Sequence, residues 1–159
     1  MLLLYSVPIR IMRLLIQRVS DASVSVKGET IGKINRGFLV LAGFRKGDNE
    51  ADIKRLSDKC INLRVFEDDE GKMNLSLQDI CGELLVVSQF TLYANCKKGR
   101  RPGFDNSMPP DEAEIFYDSL LKEMAASGLK VEKGIFGAKM EISLTNDGPV
   151  TIMLDGDEI

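Results

Sequence analysis

The stretch SLTNDGPVTIMLD, residues 143–155, decides how the last part of the chain folds. Apolar side chains alternate with polar ones on both sides of its centre, which is the pattern of a half-buried β-strand. The centre is Asn146-Asp147-Gly148-Pro149. A plain hairpin needs only Asn-Gly or Asp-Gly, whereas proline fixes φ, removes an N–H donor and permits a cis peptide bond. We therefore predict strands over residues 138–145 and 150–155, joined by an unusually rigid connection.

The rest of the chain adds further strands and two helices. Residues 49–63 predict a helix, because apolar side chains recur there at three- and four-residue spacing. A second helix follows Met108, with proline in its first turn and Gly128 at its end. Other β patterns lie at residues 13–20, 22–27, 30–35, 37–44, 83–92 and 129–134. Because strands come in runs, we predict an α+β fold with a largely antiparallel, barrel-like sheet and two main helices in a single domain.

Composition excludes several classes of protein. The chain has 159 residues, three cysteines, no histidine and a formal net charge of −3. Missing histidine excludes Ser-His and Cys-His catalysis and histidine-based metal sites. The cysteines are scattered and odd in number, which favours a reducing compartment over disulfides or a zinc site. No apolar run reaches the length of a membrane span. We expect a cytoplasmic protein that needs no metal or other cofactor.

Residues 1–11, MLLLYSVPIRI, differ from the regular pattern that begins at Met12. They lack the positive start, the longer apolar core and the cleavage site of a secretory signal. We interpret them as an N-terminal extension or an over-called start, and residues 12–159 as the functional domain.

Four segments contain the residue types that a ligand site needs. SQFTLYA, residues 88–94, ends the most apolar strand with hydroxyls, an amide side chain and backbone N–H groups. KKGRRPGF, residues 97–104 and here called the basic loop, holds four cations and no acid, which suits phosphates. FGAKM (136–140) and NDGPVT (146–151) complete the set. Each alone also fits a strand end, a solvated loop, a core contact or a rigid turn, so only the combination indicates function.

In this order the segments resemble the D-aminoacyl-tRNA deacylase family. The resemblance begins with MRLLIQRVSDASVSV and covers essentially residues 12–155. Both family signatures, SQxTLxA and NxGPxT, are intact as Ser88–Ala94 and Asn146–Thr151. The resemblance implies hydrolysis of the ester that joins a D-amino acid, or glycine mischarged on tRNA(Ala), to the terminal ribose of tRNA, while L-aminoacyl-tRNA is spared. It also implies tRNA as partner, a two-fold homodimer and no membrane association.

The same resemblance implies roles for individual residues. A cis Gly148-Pro149 motif is expected to enter the partner's active site, where rigid carbonyl oxygens hold the α-ammonium and exclude an L side chain. Catalysis is expected from Gln89 and Thr91 together with the 2′-hydroxyl of the terminal adenosine. Other implied substrate-binding residues are Ser88, Phe90, Phe136 and Met140, and the implied tRNA-binding residues are Lys97, Lys98, Arg100 and Arg101.

Thr91 admits two interpretations. As a nucleophile it lacks an obvious base, whereas as a positioning hydroxyl it needs none, and we favour the second.

Two other functions stay open from the sequence. One is a nucleic-acid-binding protein that uses the basic loop without hydrolysis, and the other is a Thr- or Cys-nucleophile hydrolase of small D-amino-acid esters or peptides. Turnover of D-tyrosyl-tRNA separates the first from a deacylase, and activity without RNA identifies the second.

Overall fold

The computed structural model describes residues 12–159, so the predicted extension at residues 1–11 lies outside them. The described part contains eight strands, two α-helices and two short 3₁₀ helices. The α-helices are α1 (Ala51–Asn62) and α2 (Pro110–Ala125), and the 3₁₀ helices are Phe90–Tyr93 and Gly156–Glu158. The strands are β1 (Arg13–Val26), β2 (Glu29–Ile34), β3 (Gly37–Gly43), β4 (Phe66–Glu67), β5 (Met73–Leu75), β6 (Glu83–Ser88), β7 (Val131–Lys133) and β8 (Glu141–Asp155).

The main sheet is organised around β1. This strand pairs antiparallel with β2, β3 and β8, while β3 pairs parallel with β6, and β6 with β7. β3 and β6 are buried almost throughout, as parallel strands covered on both faces usually are. The α+β class is confirmed. The parallel pairs were not predicted; they arise because α1 and α2 each lie in a crossover connection that leads to the next parallel strand.

Two clusters of buried side chains cover the two faces of the sheet. Ile53, Leu56 and Cys60 of α1 are fully buried in the cluster that joins the sheet to both helices, which confirms the predicted spacing of that helix. The second cluster lies where β1 and β2 curl over the other face. A Cβ atom at Gly32 would lie 2.9 Å from the carbonyl oxygen of Lys133, so β2 and β7 approach closely and the sheet is nearly barrel-like.

The predicted break between residues 20 and 22 is wrong. Residues 13–26 form one strand, whose register with β8 shifts between Val19 and Asp21. Ile16 and Ala22 are six residues apart and would share a face in a regular strand, yet Ile16 is buried in one cluster and Ala22 in the other. The irregularity thus moves the apolar side chains of β1 from one face of the sheet to the other, which in the sequence looks like the end of a strand.

The predicted division of this part of the chain into two strands, residues 138–145 and 150–155, is also wrong. Residues 141–155 form one strand, β8, because both of its halves pair with β1. Thr151 lies opposite Gln17 and Asn146 lies opposite Val19. The residues between Asn146 and Thr151 therefore face a single β1 residue, Arg18, and form a wide bulge that projects from the sheet.

The structure also describes the state of the cysteines, the apolar character of the helices and the side chains that could bind a metal ion. All three cysteines are free; Cys60 is buried, and Cys81 and Cys96 are exposed. Neither α-helix in residues 12–159 combines the length and apolar character that crossing a membrane requires. The same residues contain no group of three or more side chains suited to hold a metal ion, so this part of the chain offers no preformed metal centre.

Candidate active site

The candidate active site begins where β6 leaves the sheet. Residues 83–92 were predicted as one strand, but β6 ends at Ser88 and a 3₁₀ helix follows over Phe90–Tyr93. The Gln89 amide still donates to the Ala42 carbonyl oxygen at 2.7 Å. The turn needs Gly43, since a Cβ atom there would lie 2.9 Å from Leu92 Cβ and 3.0 Å from the Gln89 carbonyl oxygen. Close packing against β3 thus explains why the strand stops.

This 3₁₀ helix leaves backbone donors available at its start. The first amides of a helix have no acceptor within it, and here the Leu92 amide already bonds to the Gln89 carbonyl oxygen at 3.3 Å. The amides of Phe90 and Thr91 precede it and are therefore the available pair. Two adjacent N–H groups at a helix start suit an oxygen that gains negative charge.

Gln89 and Thr91 contact each other beside these amides. Gln89 Nε2 donates to Thr91 Oγ1 at 2.5 Å. An oxygen that accepts a hydrogen bond from an amide is a poorer nucleophile than one that gives its proton to a base. The contact therefore favours a positioning role for Thr91, as expected from the sequence.

A cavity of about 670 Å³ opens next to this turn. Its walls come from the ends of β3 and β6, the segment before α2 and the segment before β8. The predicted residues that line it are Ser88, Gln89, Phe90, Phe136 and Met140. Thr91, Gly148, Pro149 and the four cations of the basic loop are not among its lining residues.

The apolar side of this cavity, the main cavity from here on, is held by packed rings and a thioether. The Phe136 and Tyr117 rings lie 5.9 Å apart, and Tyr117 Oη donates to the Val86 carbonyl oxygen at 2.6 Å. Burial raises the pKa of Tyr117 to about 12, so the phenol keeps its proton. Met140 packs where Gly134 lacks a side chain, with a Cβ atom there only 2.5 Å from its sulfur. Phe136 and Met140 thus have fixed positions.

Sequence reasoning missed the opposite wall of the main cavity. Phe104 packs edge-on against Phe90 with 5.0 Å between ring centroids, and Ser107 Oγ donates to the Phe90 carbonyl oxygen at 3.1 Å. A β-bridge between Arg45 and Ser107 carries this segment to the site. The only signal in the sequence was position, because Phe104 ends the basic loop and Ser107 lies three residues beyond it. The missed lining residues include Phe44, Lys46, Phe104, Asp105, Ser107 and Met108.

The basic loop is anchored at its two ends. Asn95 and Gly103 exchange backbone hydrogen bonds of 2.7 and 2.8 Å, and the Lys97 amide donates to Asn95 Oδ1 at 3.0 Å. All four cations are exposed, and none belongs to an ion pair with another residue of the described chain. The loop therefore presents free positive charge beside Phe104, at the rim of the main cavity.

The Gly-Pro bulge is held by Arg18 and Asn146. Arg18 is 3% exposed, and it donates to the carbonyl oxygens of Asp147 at 2.8 Å and Val65 at 2.7 Å. Asn146 Oδ1 accepts from the Val150 amide at 2.7 Å, which closes the bulge at its base. Gly148-Pro149 is cis, and Gly148 has φ +143°, a conformation that side-chain-bearing residues rarely adopt.

The bulge and the main cavity lie apart within one chain. The bulge faces Arg18, which pairs with Phe38, whereas Ser88 pairs with Ala42. The bulge is therefore three strand spacings and four residues along the strands away from Ser88, which is roughly 20 Å measured over the sheet. The structure thus brings together five of the predicted substrate-site residues and leaves Gly148 and Pro149 elsewhere on the same chain.

Asp48 supports a wall of the main cavity from outside it. Its Oδ2 accepts from the Arg45 amide at 2.7 Å, while the buried Oδ1 has no hydrogen-bond partner among the described residues. The loop it holds reaches the opposite wall, since the Lys46 amide donates to the Asn106 carbonyl oxygen at 3.0 Å. Burial raises the pKa of Asp48 from 3.8 to about 6, so the ionised carboxylate is a cost to folding.

We expect Asp48→Asn to stabilise the protein at pH 8 and to leave it unchanged at pH 4. When folding raises the pKa of a carboxyl group, the folded protein loses stability as pH rises from about 4 to about 6, because the charged form must be buried. Asparagine has no charge to bury. Because Asp48 is only partly buried and solvent screens its charge, the expected gain in the free energy of unfolding at pH 8 is about 1 kcal/mol. Urea denaturation at both pH values measures it, and an equal difference at the two pH values would contradict the explanation.

Asp68→Asn is the matched control with the opposite sign. Asp68 Oδ1 accepts from the backbone amides of Lys72 at 3.0 Å and Glu70 at 2.9 Å, and these bonds, that of Lys72 above all, lower the pKa of Asp68. Its replacement should therefore reduce stability at pH 8 and not at low pH.

The fold and the cavity define a class of small α+β protein whose site relies on backbone amides, an amide side chain and hydroxyls. The solved structure of a "c-Myc DNA Unwinding Element Binding Protein" shares this fold with a TM-score of 0.84 and 43% identity, over 90% of this chain and 97% of that one. A second solved structure, of "a probable eukaryotic D-amino acid tRNA deacylase", has a TM-score of 0.80 and 18% identity over 91% of this chain and 98% of that one. At this identity it supports the fold alone.

Sequence relatives then identify the family. A D-aminoacyl-tRNA deacylase of Thermosipho africanus is 57% identical over 93% of this chain and 99% of its own length, and one of Clostridium perfringens is 54% identical over 91% and 97%. The family model described as D-Tyr-tRNA(Tyr) deacylase matches residues 15–155. The chain therefore belongs to the D-Tyr-tRNA(Tyr) deacylase family. This confirms the resemblance drawn from the sequence and the prediction of an enzyme of the hydrolase class.

Proposed function

We propose that the chain hydrolyses the ester bond of D-aminoacyl-tRNA in the cytoplasm. One observation carries the proposal: Gln89 and Phe90, at the start of a 3₁₀ helix, line the same cavity as the apolar wall that contains Phe136. The amides suit the oxyanion of ester hydrolysis. Phe136 offers a ring on which the terminal adenine can stack. Family membership supports the substrate class.

The reacting hydroxyl in this proposal belongs to the RNA. The 2′-hydroxyl of the terminal adenosine lies beside the ester and assists its hydrolysis. The protein then contributes orientation through Gln89 and Thr91 and stabilisation of the oxyanion through the amides of Phe90 and Thr91. This division of roles suits a chain without histidine.

Chiral selection is assigned to the Gly-Pro bulge of a second copy. The bulge is held by Arg18 and Asn146, projects from the sheet and lies roughly 20 Å, measured over the sheet, from Ser88 of its own chain. In a two-fold homodimer, a bulge from one protomer can cover the cavity of the other. Its carbonyl oxygens then bind the α-ammonium and exclude an L side chain by steric clash. Glycine, including that mischarged on tRNA(Ala), has no side chain to exclude and is also hydrolysed.

Mixing two inactive variants tests this arrangement directly. Gln89→Ala should disable a protomer's own cavity, and Gly148→Ala should distort the bulge that it lends, because a Cβ atom there lies 2.8 Å from Val150 Cγ2. A refolded equal mixture should recover about a quarter of wild-type activity on D-tyrosyl-tRNA, because half of the dimers are mixed and each has one intact site. A mixture as inactive as either variant alone would exclude a shared site, as would a wild-type protein that is monomeric and fully active at nanomolar concentration.

The basic loop is proposed to bind tRNA phosphates. Lys97→Gln combined with Lys98→Gln should raise KM about tenfold, lower the salt slope of log kcat/KM by about 1.5 to 2 and leave the preference for D over L unchanged. Steady-state kinetics over a range of salt concentrations measures this. Lys59→Gln, an exposed lysine on α1, is the control and should behave as wild type. Unchanged tRNA binding at every salt concentration would show that the loop is only solvated surface.

A nucleic-acid-binding protein without hydrolysis is the second candidate. The exposed charges of the basic loop favour it, and so does one structural relative, whose name describes a DNA-binding protein. Turnover of D-tyrosyl-tRNA with sparing of L-tyrosyl-tRNA decides for the deacylase. Binding of tRNA with no turnover of either ester decides for the second candidate.

A further inference from the structure

A second cavity adjoins the main one and has no role in the reaction described so far. Its volume is about 420 Å³, and it is lined by residues 25–28 and by Ala138, Lys139 and Glu141. Ala138 lines the main cavity as well. The second cavity, here called the lysine cleft, lies where the end of β1 pairs with the start of β8, as Ser25 does with Glu141. The same segment therefore forms a wall of both cavities.

The charges of the lysine cleft are not neutralised by the protein. Lys27, Lys139 and Glu141 are exposed, and none of them takes part in the ion pairs of residues 12–159. Lys27 belongs to a two-residue turn with Gly28 in which both have positive φ, 51° and 80°, so its backbone position is well defined. Two cations and one carboxylate line the cleft, which leaves a net positive charge for an anion.

The chemistry of the proposed substrate indicates which anion this is. If the ester lies at the Gln89 turn and the adenine stacks on Phe136, the terminal ribose lies between them. Its 5′-phosphate, which links it to the preceding nucleotide, must then leave the main cavity along one of its walls. Phe136 and Ala138 form one such wall, and the wall continues directly into the lysine cleft.

We propose that the lysine cleft binds the phosphate that joins the last two nucleotides of the tRNA, with Lys27 and Lys139 as the phosphate ligands. This inference rests on the proposed function and adds a subsite to it. It also gives the RNA a direction, because the single-stranded end leaves the main cavity on the side of Ala138. The basic loop, at the Phe104 rim, then meets phosphates farther along the acceptor stem.

Two short substrates isolate this subsite. D-tyrosyl-adenosine carries the ester without a phosphate, and D-tyrosyl-CpA adds one phosphate and one nucleotide. For the wild type, kcat/KM should be about tenfold higher on the dinucleotide. Lys27→Gln combined with Lys139→Gln should remove most of this advantage and leave D-tyrosyl-adenosine unaffected. Glu141→Gln should increase the advantage about threefold, because it removes the opposing charge. Lys59→Gln is the matched lysine control.

Full-length substrate supplies a second readout. On D-tyrosyl-tRNA the double lysine variant should lower the salt slope of log kcat/KM by about 0.7 for each phosphate that the protein no longer neutralises. An unchanged dinucleotide advantage with an unchanged salt slope would overturn the inference, as would disappearance of that advantage in the Lys97→Gln and Lys98→Gln variant instead. A wild type that hydrolyses no D-aminoacyl ester would overturn the proposed function itself, and the subsite with it.

Discussion

D-aminoacyl-tRNA that ends in 2′-deoxyadenosine should be hydrolysed at least about a hundredfold more slowly than the ribose-ended substrate, the size of a general acid–base contribution. Thr91→Ala should keep about a tenth of wild-type activity, a loss of about 1.4 kcal/mol. Thr91 Oγ1 accepts a hydrogen bond from Gln89 Nε2, and the chain has no imidazole to take its proton. The ribose hydroxyl is adjacent to the ester, so its use needs no further ordering once adenosine is bound.

Rapid-quench turnover with enzyme in excess over charged tRNA measures the chemical step for both changes. Binding of the uncharged deoxy-ended tRNA is the control for the substrate and should equal that of normal tRNA. Thr91→Ser is the control for the variant, because it keeps the hydroxyl and should stay close to wild type. An acyl ester trapped on Thr91, or normal turnover of the deoxy substrate, would show that the protein supplies the reacting group.

Much of the fold was predictable because it follows from local patterns. The spacing of Ile53, Leu56 and Cys60 identified α1, and Pro109 and Pro110 marked the start of α2. The errors concern long-range pairing. Nothing local in residues 141–155 indicates that both halves lie along the same strand β1, so one bulged strand was predicted as two strands. The parallel pairing of β6 depends on where the crossover helices return the chain, which is likewise not a local property.

The residues of the candidate site were likewise predicted where the signal was local and missed where it depended on long-range pairing. Ser88 and Gln89 were recognised because hydroxyl and amide groups at the end of an apolar strand are a local signal. Ser107 and Asp105 were missed because a bridge to Arg45 brings them to the main cavity. The resemblance already implied that Gly148 serves the partner's site and lies away from Gln89 of its own chain, but local sequence patterns carry no distance between the two signatures. The order of the strands supplies that distance.

Arg18→Met should destabilise the protein and weaken its selection of D over L substrates. Arg18 is almost fully buried and donates to the carbonyl oxygens of Val65 and Asp147. Methionine fills similar space but leaves both acceptors without a donor, which should lower the free energy of unfolding by about 2–4 kcal/mol. The bulge also loses the donor that fixes its Asp147 carbonyl. The ratio of D- to L-tyrosyl-tRNA turnover should therefore fall about tenfold, equivalent to about 1.4 kcal/mol.

Two variants separate positioning of the bulge from general stability. Arg64→Met removes an exposed arginine that donates to the Asn74 carbonyl oxygen at 3.0 Å, and stability should change by no more than about 0.5 kcal/mol. Arg18→Lys keeps the charge but has one ammonium group where a planar fork reaches two carbonyls, so it should lose part of the selectivity. Turnover of both esters is measured well below each melting temperature, where all variants are folded. If Arg18→Met melts earlier yet keeps the wild-type D-to-L ratio, Arg18 supports the fold alone, and the orientation of the bulge must come from Asn146, whose side chain bonds to both the amide and the carbonyl of Val150.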